Sequence, residues 1–236
     1  MSQHIRKLDS NVSERLKSQA CTVSLASAVR EIVQNSVDAH ATTIDVMIDL
    51  PNLSFAVYDD GIGLTRSDLN ILATQNYTSK IRKMNDLVTM KTYGYRGDAL
   101  YSISNVSNLF VCSKKKDYNS AWMRKFPSKS VMLSENTILP IDPFWKICAW
   151  SRTKSGTVVI VEDMLYNLPV RRRILKEEPP FKTFNTIKAD MLQILVMHPM
   201  ISLNVQYTDK LRINTEVLFR SKNITEGLST SKCLKY

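Results

Sequence analysis

The sequence predicts a two-layer α/β sandwich in which helices cover one face of a mixed, largely antiparallel β-sheet. Three observations lead to this fold class: an amphipathic helical pattern early in the chain, a β-hairpin pattern directly after it, and a continuing mixture of strand-like and helix-like segments up to a second hairpin. Helices and strands mixed in this order pack as a layer of helices on a sheet.

The first elements have the most regular pattern. A helix is predicted over residues 24–39, where the apolar residues recur at the spacing of one helix face and are Leu25, Ala28, Val29, Ile32 and Val33. Residues 44–50 and 53–58 alternate apolar and polar side chains on either side of a Pro51-Asn52 turn. This pair is therefore predicted to form a β-hairpin.

The rest of the chain continues the mixture. In order, we predict a short helix over 66–73, a long polar loop over 75–95, a helix over 98–104, strands over 108–113 and 156–161, a helix that starts at 169–175, a helix over 184–197, and a final hairpin of 201–207 with 211–217. One domain is expected over 1–220, followed by a polar tail over 221–236.

Composition excludes several classes of function. The hydrophobic fraction of 44% and the charged fraction of 23% are those of a soluble globular domain, and no apolar run reaches membrane-spanning length. The four cysteines are far apart and show no CxxC spacing, so neither a zinc site nor a disulfide framework is expected. The three histidines are equally scattered and indicate neither a metal triad nor a Ser-His-Asp set.

Basic residues outnumber acidic ones by 32 to 22, which gives a formal charge of +10. Such an excess favours polyanionic partners such as nucleic acid or nucleotides. The basic residues cluster in three runs, which are Lys114-Lys115-Lys116, residues 124–129 and Arg171-Arg172-Arg173. A solvated surface explains such runs equally well, so DNA contact by the first and third runs remains a hypothesis.

Three polar residues share one face of the first predicted helix. With Glu31 at zero, Asn35 falls at roughly 40° and Asp38 at roughly −20° for a rotation of about 100° per residue. The apolar residues occupy the opposite arc. A solvated helix face is the simpler interpretation of this pattern, and a binding face is the alternative.

Asp59 ends the second strand of the first hairpin and shares the register of Phe55 and Val57. Its carboxylate is therefore predicted to project into the buried layer, where it needs hydrogen-bond donors, and the exocyclic amine of adenine is a good candidate. Gly61 and Gly63 allow the backbone to approach a ligand closely. An ordinary turn after a strand is the competing interpretation of DDGIG.

A third group of residues suits a triphosphate. Thr78-Ser79-Lys80 lies inside the long polar loop, and the glycines of Gly94-Tyr95-Arg96-Gly97 bracket a turn that opens a predicted helix. Free N–H groups at such a turn attract anions. The length of the loop indicates a lid that orders on ligand binding, or else a mobile surface loop. Gly156-Thr157 opens a strong strand, where the Thr157 hydroxyl is a further pocket candidate.

The order of these motifs resembles the gyrase, Hsp90, histidine-kinase and MutL (GHKL) ATPase superfamily, whose domain is the Bergerat ATP-binding fold. The shared motifs are Glu31-x-x-x-Asn35-x-x-Asp38-Ala39, Asp59-x-Gly61-x-Gly63, GYRGDAL at 94–100 and Gly156-Thr157. TSKI at 78–81, GYRGDAL and YNLPVRRR at 166–173 resemble the MutL homologs of DNA mismatch repair. The resemblance covers residues 25–217, nearly the whole chain.

The resemblance implies a role for each matching residue. Glu31 is expected to orient or deprotonate the attacking water, Asn35 to ligate Mg²⁺, and Asp59 to recognise adenine. Other expected nucleotide contacts are Asp38, Ala39, Gly61, Gly63 and Thr157. The lid and phosphate cradle are expected to comprise Thr78, Ser79, Lys80, Gly94, Arg96, Gly97, Asp98, Ala99 and Leu100.

The resemblance also implies partners and a location. ATP and Mg²⁺ binding is expected to drive dimerisation with another MutL homolog and engagement of DNA, with MutS homologs as further partners, in the nucleus and away from membranes. YGYRGDAL and NYTSK are most similar to the MutL paralogue associated with meiotic crossing-over. The activity is expected to be ATP hydrolysis in mismatch repair or meiotic recombination.

Several departures from the family pattern stand out. Residues 16–21 do not match the IAAGEV-type segment, Asp98 stands where Glu is usual, Tyr95 where Phe is usual and Asp60 where Asn is usual. Residues 128–150 resemble an insertion. MutL proteins add a second, ribosomal-S5-like domain whose lysine reaches the γ-phosphate, and it does not fit after Val217. The chain is therefore expected to be a fragment with impaired hydrolysis.

Two classes of function remain open at this point. One is an ATPase module, which the retention of Glu31 favours, and the other is a DNA-binding or dimerisation module with little ATP turnover. The histidine-kinase branch is disfavoured because no histidine lies in a phosphoacceptor helix. The Hsp90 and type II topoisomerase branches are disfavoured by GYRGDAL and NLPVR.

Overall fold

The computed structural model describes residues 24–74, 93, 99–118, 120–126, 133–134, 155–208 and 214–221. The helices in these segments are α1 (Leu25–Asp38), α2 (Arg66–Ile71), α3 (Ala99–Ser104), α4 (Pro169–Glu177) and α5 (Pro180–Met197). The strands are β1 (Thr43–Asp49), β2 (Ser54–Asp59), β3 (Asn108–Lys114), β4 (Trp122–Phe126), β5 (Leu133–Ser134), β6 (Gly156–Glu162), β7 (Ser202–Thr208) and β8 (Thr215–Ser221).

The strands form one eight-stranded sheet in the order β5-β4-β3-β6-β2-β1-β7-β8. All neighbouring strands run antiparallel except β1 and β7, which are parallel. The predicted mixed, largely antiparallel sheet is confirmed, as is its first hairpin. The last two strands also pair antiparallel, but the second of them lies further along the chain than predicted. In the described part of the chain, no helix has the length and apolar character needed to cross a membrane.

Helix α1 forms as its sequence predicts. Ser24 is the N-cap, because its hydroxyl accepts a hydrogen bond from the Ser27 N–H at 3.1 Å and Ser27 Oγ accepts one from the Ser24 N–H at 3.2 Å. The predicted apolar stripe is buried against the sheet and α5, with Val29 and Val33 fully inaccessible. Burial of each such side chain contributes about 1.5–3 kcal/mol.

The central strands are buried on both faces. In β2, Phe55 and Val57 belong to the main core beneath the helices, whereas Ala56 and Tyr58 belong to a second apolar cluster on the opposite face. The same alternation continues in β3 and β6. Because side chains alternate, Asp59 must follow Val57 toward the helices.

Three outcomes differ from the sequence-based prediction. Strands β4 and β5 were not predicted, since β4 (WMRKF) places basic residues among its apolar ones and gains its regularity from pairing with β3. The last strand spans Thr215–Ser221 instead of 211–217, because its register is set by β7. Helix α5 begins at Pro180 rather than at 184, with proline in its first turn.

Candidate nucleotide-binding site

A row of polar side chains crosses three adjacent strands at one end of the sheet. Asp59 of β2 pairs in register with Thr157 of β6, and Thr157 pairs with Ser113 of β3. All three are buried on the helix-facing side, with Ser113 Oγ 2.9 Å from Thr157 Oγ1. Burial of hydroxyls and carboxylates costs free energy unless they are hydrogen-bonded, so these three side chains depend on one another and on nearby donors.

The Asp59 carboxylate is held by three donors. Its Oδ1 accepts hydrogen bonds from the Gly61 N–H at 3.0 Å and the Thr157 N–H at 3.1 Å, and its Oδ2 accepts one from the Ser36 hydroxyl at 2.9 Å. Asp59 is 3% exposed. The predicted inward projection of Asp59 is confirmed, and these donors offset its desolvation and fix its orientation.

The loop after Asp59 depends on Gly63, whose φ is +69°. A Cβ atom at this position would lie 2.1 Å from the carbonyl oxygen of Lys114, so no other residue fits without backbone movement. The Ile62 N–H donates to the Ala39 carbonyl at 3.0 Å, and the Lys116 N–H donates to the Ile62 carbonyl at 3.2 Å. The loop is thus fastened to the C-terminal end of α1 and to the end of β3.

Helix α1 places Glu31, Asn35 and Asp38 on one face, because the helix is regular from Leu25 to Asp38. All three are half-buried. Ser36, one residue after Asn35, reaches the Asp59 carboxylate, and the Ala39 carbonyl contacts the glycine loop. The structure therefore brings the C-terminal half of α1 and the end of β2 together.

The remaining predicted nucleotide contacts divide into two groups. Ala99 and Leu100 open α3 and are half-buried, with Leu100 packed against the main core. Those that lie outside the described residues are Thr78, Ser79, Lys80, Gly94, Arg96, Gly97 and Asp98. The 128–150 segment is described only at β5.

Two site residues were missed from the sequence. Ser36 occupies the buried arc of α1, and Ser113 accepts a hydrogen bond from the Leu64 N–H at 2.8 Å while contacting Thr157. The available signal was a serine on an otherwise apolar face of a helix or strand. Such a serine needs a partner, but periodicity does not say which one.

The predicted DNA-contact runs lie at opposite ends of the central strands. Lys114 pairs with Gly156 at the start of β6, next to the Gly63 loop, whereas α4 with Arg171-Arg172-Arg173 follows the far end of β6. Arg171 and Arg173 are exposed, and Arg172 forms an ion pair of 2.7 Å with Asp163. In the 124–129 run, Arg124 donates to the carbonyls of Leu69 and Asn70, which closes the end of α2.

Residues 23–157 match the family model described as "Histidine kinase-, DNA gyrase B-, and HSP90-like ATPase". The chain is 99% identical over 229 residues to the DNA mismatch repair protein MLH3 of Saccharomyces cerevisiae, a match that covers 97% of the chain and 32% of that protein. This chain belongs to the GHKL ATPases, as a MutL homolog. The recognised motifs and the match thus agree.

More distant MutL homologs give the same result. The chain is 33% identical over 177 residues to MLH1 of Saccharomyces cerevisiae and 30% identical over 230 residues to MutL of Buchnera aphidicola, covering 75% and 97% of the chain. These matches span 21% and 37% of the two relatives. The chain thus spans about a third or less of the length of the curated relatives that it matches.

Solved structures of other proteins share the fold. A structure described as the N-terminal domain of a DNA repair protein superposes with a TM-score of 0.67 at 21% identity, covering 89% of this chain and 56% of that one. The Aquifex aeolicus MutL ATPase domain complexed with ADP superposes with a TM-score of 0.55 at 20% identity, covering 84% and 63%. The predicted fold class is confirmed.

Proposed function

We propose that this MutL homolog binds ATP with Mg²⁺ in the pocket bounded by Asp59, the glycine loop and the polar face of α1. One observation carries the proposal: the Asp59 carboxylate is buried, and three donors from three different segments fix its orientation. Burying a carboxylate costs free energy because it loses its hydration. Carboxylates that are buried and held in one orientation are therefore concentrated at binding and catalytic sites.

Asp59 is proposed to recognise adenine by accepting a hydrogen bond from its exocyclic amine. The Thr157 hydroxyl, which Ser113 contacts, is proposed to hold the same end of the base. Ala39, Gly61 and Gly63 are proposed to form the walls, since the loop there packs directly on α1. ADP bound to the Aquifex aeolicus MutL ATPase domain supports a nucleotide ligand for this fold.

The polar face of α1 is proposed to hold Mg²⁺ together with the phosphates. Mg²⁺ takes oxygen ligands and keeps several from water and phosphate, so it needs few from the protein. No set of three His, Cys, Asp or Glu side chains suited to a metal was found in the segments that the structure describes. The Asn35 amide oxygen is proposed as the protein ligand, and bound Mg²⁺ would neutralise phosphate charge. Glu31, one turn earlier, is proposed to orient the attacking water.

The wider activity is proposed from the relatives. The relatives of this chain are DNA mismatch repair proteins. We therefore propose that ATP binding to this chain drives dimerisation with another MutL homolog and engagement of DNA. MutS homologs, a nuclear location and a role in meiotic recombination belong to the same proposal. Efficient hydrolysis is proposed to need a second, ribosomal-S5-like domain. Thr78 to Lys80 and Gly94 to Leu100 are proposed to surround the phosphates.

Two adjacent aspartates provide the test. Asp59→Asn should weaken ATP and ADP binding by about 10- to 100-fold, because a charge-assisted hydrogen bond to the base is lost. Asp60→Asn should bind both nucleotides as the wild type does, since Asp60 faces Thr42 and Thr43 instead of the pocket. Calorimetric titration of the three chains with Mg²⁺ present measures this. Equal affinity of all three chains, or no binding by the wild type, would contradict the proposal.

A DNA-binding or dimerisation module with little ATP turnover is the second candidate. The exposed Arg171 and Arg173 on α4 favour DNA contact, and they lie away from the proposed nucleotide pocket. Phosphate release measured on the same samples separates the candidates. Turnover that stops in Glu31→Ala supports the ATPase, whereas binding without turnover, also by a longer chain that contains the second domain, supports the module.

A further inference from the structure

Tyr93 joins the C-terminal end of α1 to the C-terminal end of α5. Its main-chain N–H donates a hydrogen bond to Asp38 Oδ1 at 3.1 Å, and its phenol oxygen lies 3.0 Å from His198 Nε2. The two rings also pack together, with centroids 5.4 Å apart and planes tilted by 56°. Tyr93 is half-buried against the main core. Its backbone and its side chain therefore each have a specific partner.

His198 is held in place by α5. It is the C-cap residue of that helix, and its N–H donates to the Ile194 carbonyl at 2.9 Å. Ile187, Met191 and Ile194 bury α5 in the core that it shares with α1. His198 is therefore held in a fixed position relative to α1.

Asp38 needs a donor because of its position. It is the last residue of α1, and the last turn of that helix contains no basic residue. A carboxylate at a helix C-terminus is repelled by the negative end of the helix dipole. A main-chain N–H from another segment opposes that effect and fixes the orientation of the carboxylate.

Resting on the proposed function, we propose that Tyr93 and His198 are positioning residues of the nucleotide site. His198 holds the Tyr93 ring, and Tyr93 in turn presents its N–H to Asp38 on the face of α1 that carries Glu31 and Asn35. Neither residue contacts the nucleotide in this arrangement. Their effect on the ligand passes through the Asp38 carboxylate.

The Tyr93 hydroxyl keeps its proton at neutral pH. Burial raises the pKa of Tyr93 above its usual value of 10.0, and the charge of Asp38 raises it further. The phenol therefore remains an O–H donor, and it donates to His198 Nε2 when the imidazole proton is on Nδ1. A glutamine at 198 offers a similar acceptor, whereas an alanine offers none.

Mg-ADP titration of variants of the whole chain tests the arrangement. Tyr93→Phe keeps the ring and the main-chain N–H and removes the hydroxyl, and it should weaken Mg-ADP binding by about 3- to 10-fold. His198→Ala should give a similar loss, and the double variant should lose no more than the weaker-binding single variant, because both changes remove the same bond. His198→Gln should restore affinity to within about 2-fold, and Tyr118→Phe, in an exposed turn, should leave it unchanged.

Repeating Tyr93→Phe in a chain that already carries a substitution at Asp38 tests whether the effect of Tyr93 depends on the Asp38 carboxylate. With Asp38→Ala in place, Tyr93→Phe should change Mg-ADP affinity by less than about 2-fold, since the carboxylate being positioned is gone. Thermal unfolding of the same variants without nucleotide distinguishes a positioning role from a purely structural one. A purely structural role lowers the melting temperature and leaves the affinity of the folded protein for Mg-ADP intact.

Three results would overturn the inference while leaving the proposed function standing: unchanged affinity in Tyr93→Phe and His198→Ala, losses that multiply in the double variant, or a Tyr93→Phe effect that persists beside Asp38→Ala. A wild-type chain that does not bind Mg-ADP would overturn the proposed function and this inference together.

Discussion

Asp59 and Asp60 are neighbours in sequence with different surroundings. Asp59 points into the buried layer, whereas Asp60 Oδ1 accepts hydrogen bonds from the N–H groups of Thr42 and Thr43 at 2.7 and 2.8 Å. Asp60 Oδ2 accepts another from the Thr42 hydroxyl at 2.7 Å. Asp60 thereby ties the end of β2 to the connection between α1 and β1.

The charge of Asp60 should make stability depend on pH. Burial raises the pKa of Asp60, but the hydrogen bonds from Thr42 and Thr43 outweigh it and hold the pKa below 3.8. A pKa lowered in the folded state adds stability that is fully present above 3.8 and is lost as pH falls through the lowered value. Urea unfolding from about pH 7 to about pH 3 should therefore show a smaller loss of stability for Asp60→Asn than for the wild type. Parallel curves would refute this assignment.

At the scale of elements, the site is made where three of them end. The C-terminal end of α1, the end of β2 and the end of β3 are joined by hydrogen bonds of the Ile62 N–H to Ala39 and of the Lys116 N–H to Ile62. Gly63 is what allows this approach, because its φ is positive and the Lys114 carbonyl occupies the space of a side chain. The loop is therefore a rigid part of the fold.

Gly63→Ala tests that rigidity. Strain at a positive φ together with the clash at Lys114 should lower the free energy of unfolding by about 2 kcal/mol or more. Ile62→Ala in the same loop is the control, since Ile62 is 51% exposed and its loss should cost no more than about 0.5 kcal/mol. Urea unfolding at neutral pH provides both values, and an equal effect of the two changes would show that the loop yields easily.

At the scale of the whole molecule, the charge of +10 is distributed over separate regions. The lysine run borders the proposed nucleotide pocket, and the arginine run lies beyond the other end of β6. A strand of seven residues separates the two ends by about 20 Å at roughly 3.3 Å per residue. The two runs therefore do not form one continuous patch along β6.

The arginine run makes a prediction for DNA binding. If Arg171 and Arg173 contact phosphates, replacing both by alanine should weaken DNA binding and reduce the slope of log affinity against log salt by about 2. Lys182→Ala removes one positive charge from α5, outside the arginine run, and it should leave the slope unchanged. Fluorescence anisotropy over a salt series measures both slopes. A wild-type affinity that is indifferent to salt would exclude phosphate contact by this chain.

Much of the architecture followed from local patterns. The stripe from Leu25 to Val33 identified α1, and alternation in 53–58 identified β2 and the inward direction of Asp59. These features depend on helical and strand periodicity, which the residues carry locally. Strand β4 escaped detection because its regularity comes from pairing with β3.

The sequence by itself determined the elements, the polar face of α1 and the inward direction of Asp59. The tertiary structure decided their partners: Ser36 with Asp59, Ser113 with Thr157, and Tyr93 with His198, which are separated by 23, 44 and 105 residues. These pairs arise because the sheet sets β3, β6 and β2 side by side and packs α5 against α1. Local periodicity determines the direction in which a side chain points, but only the spatial order of the packed elements determines which residues it contacts.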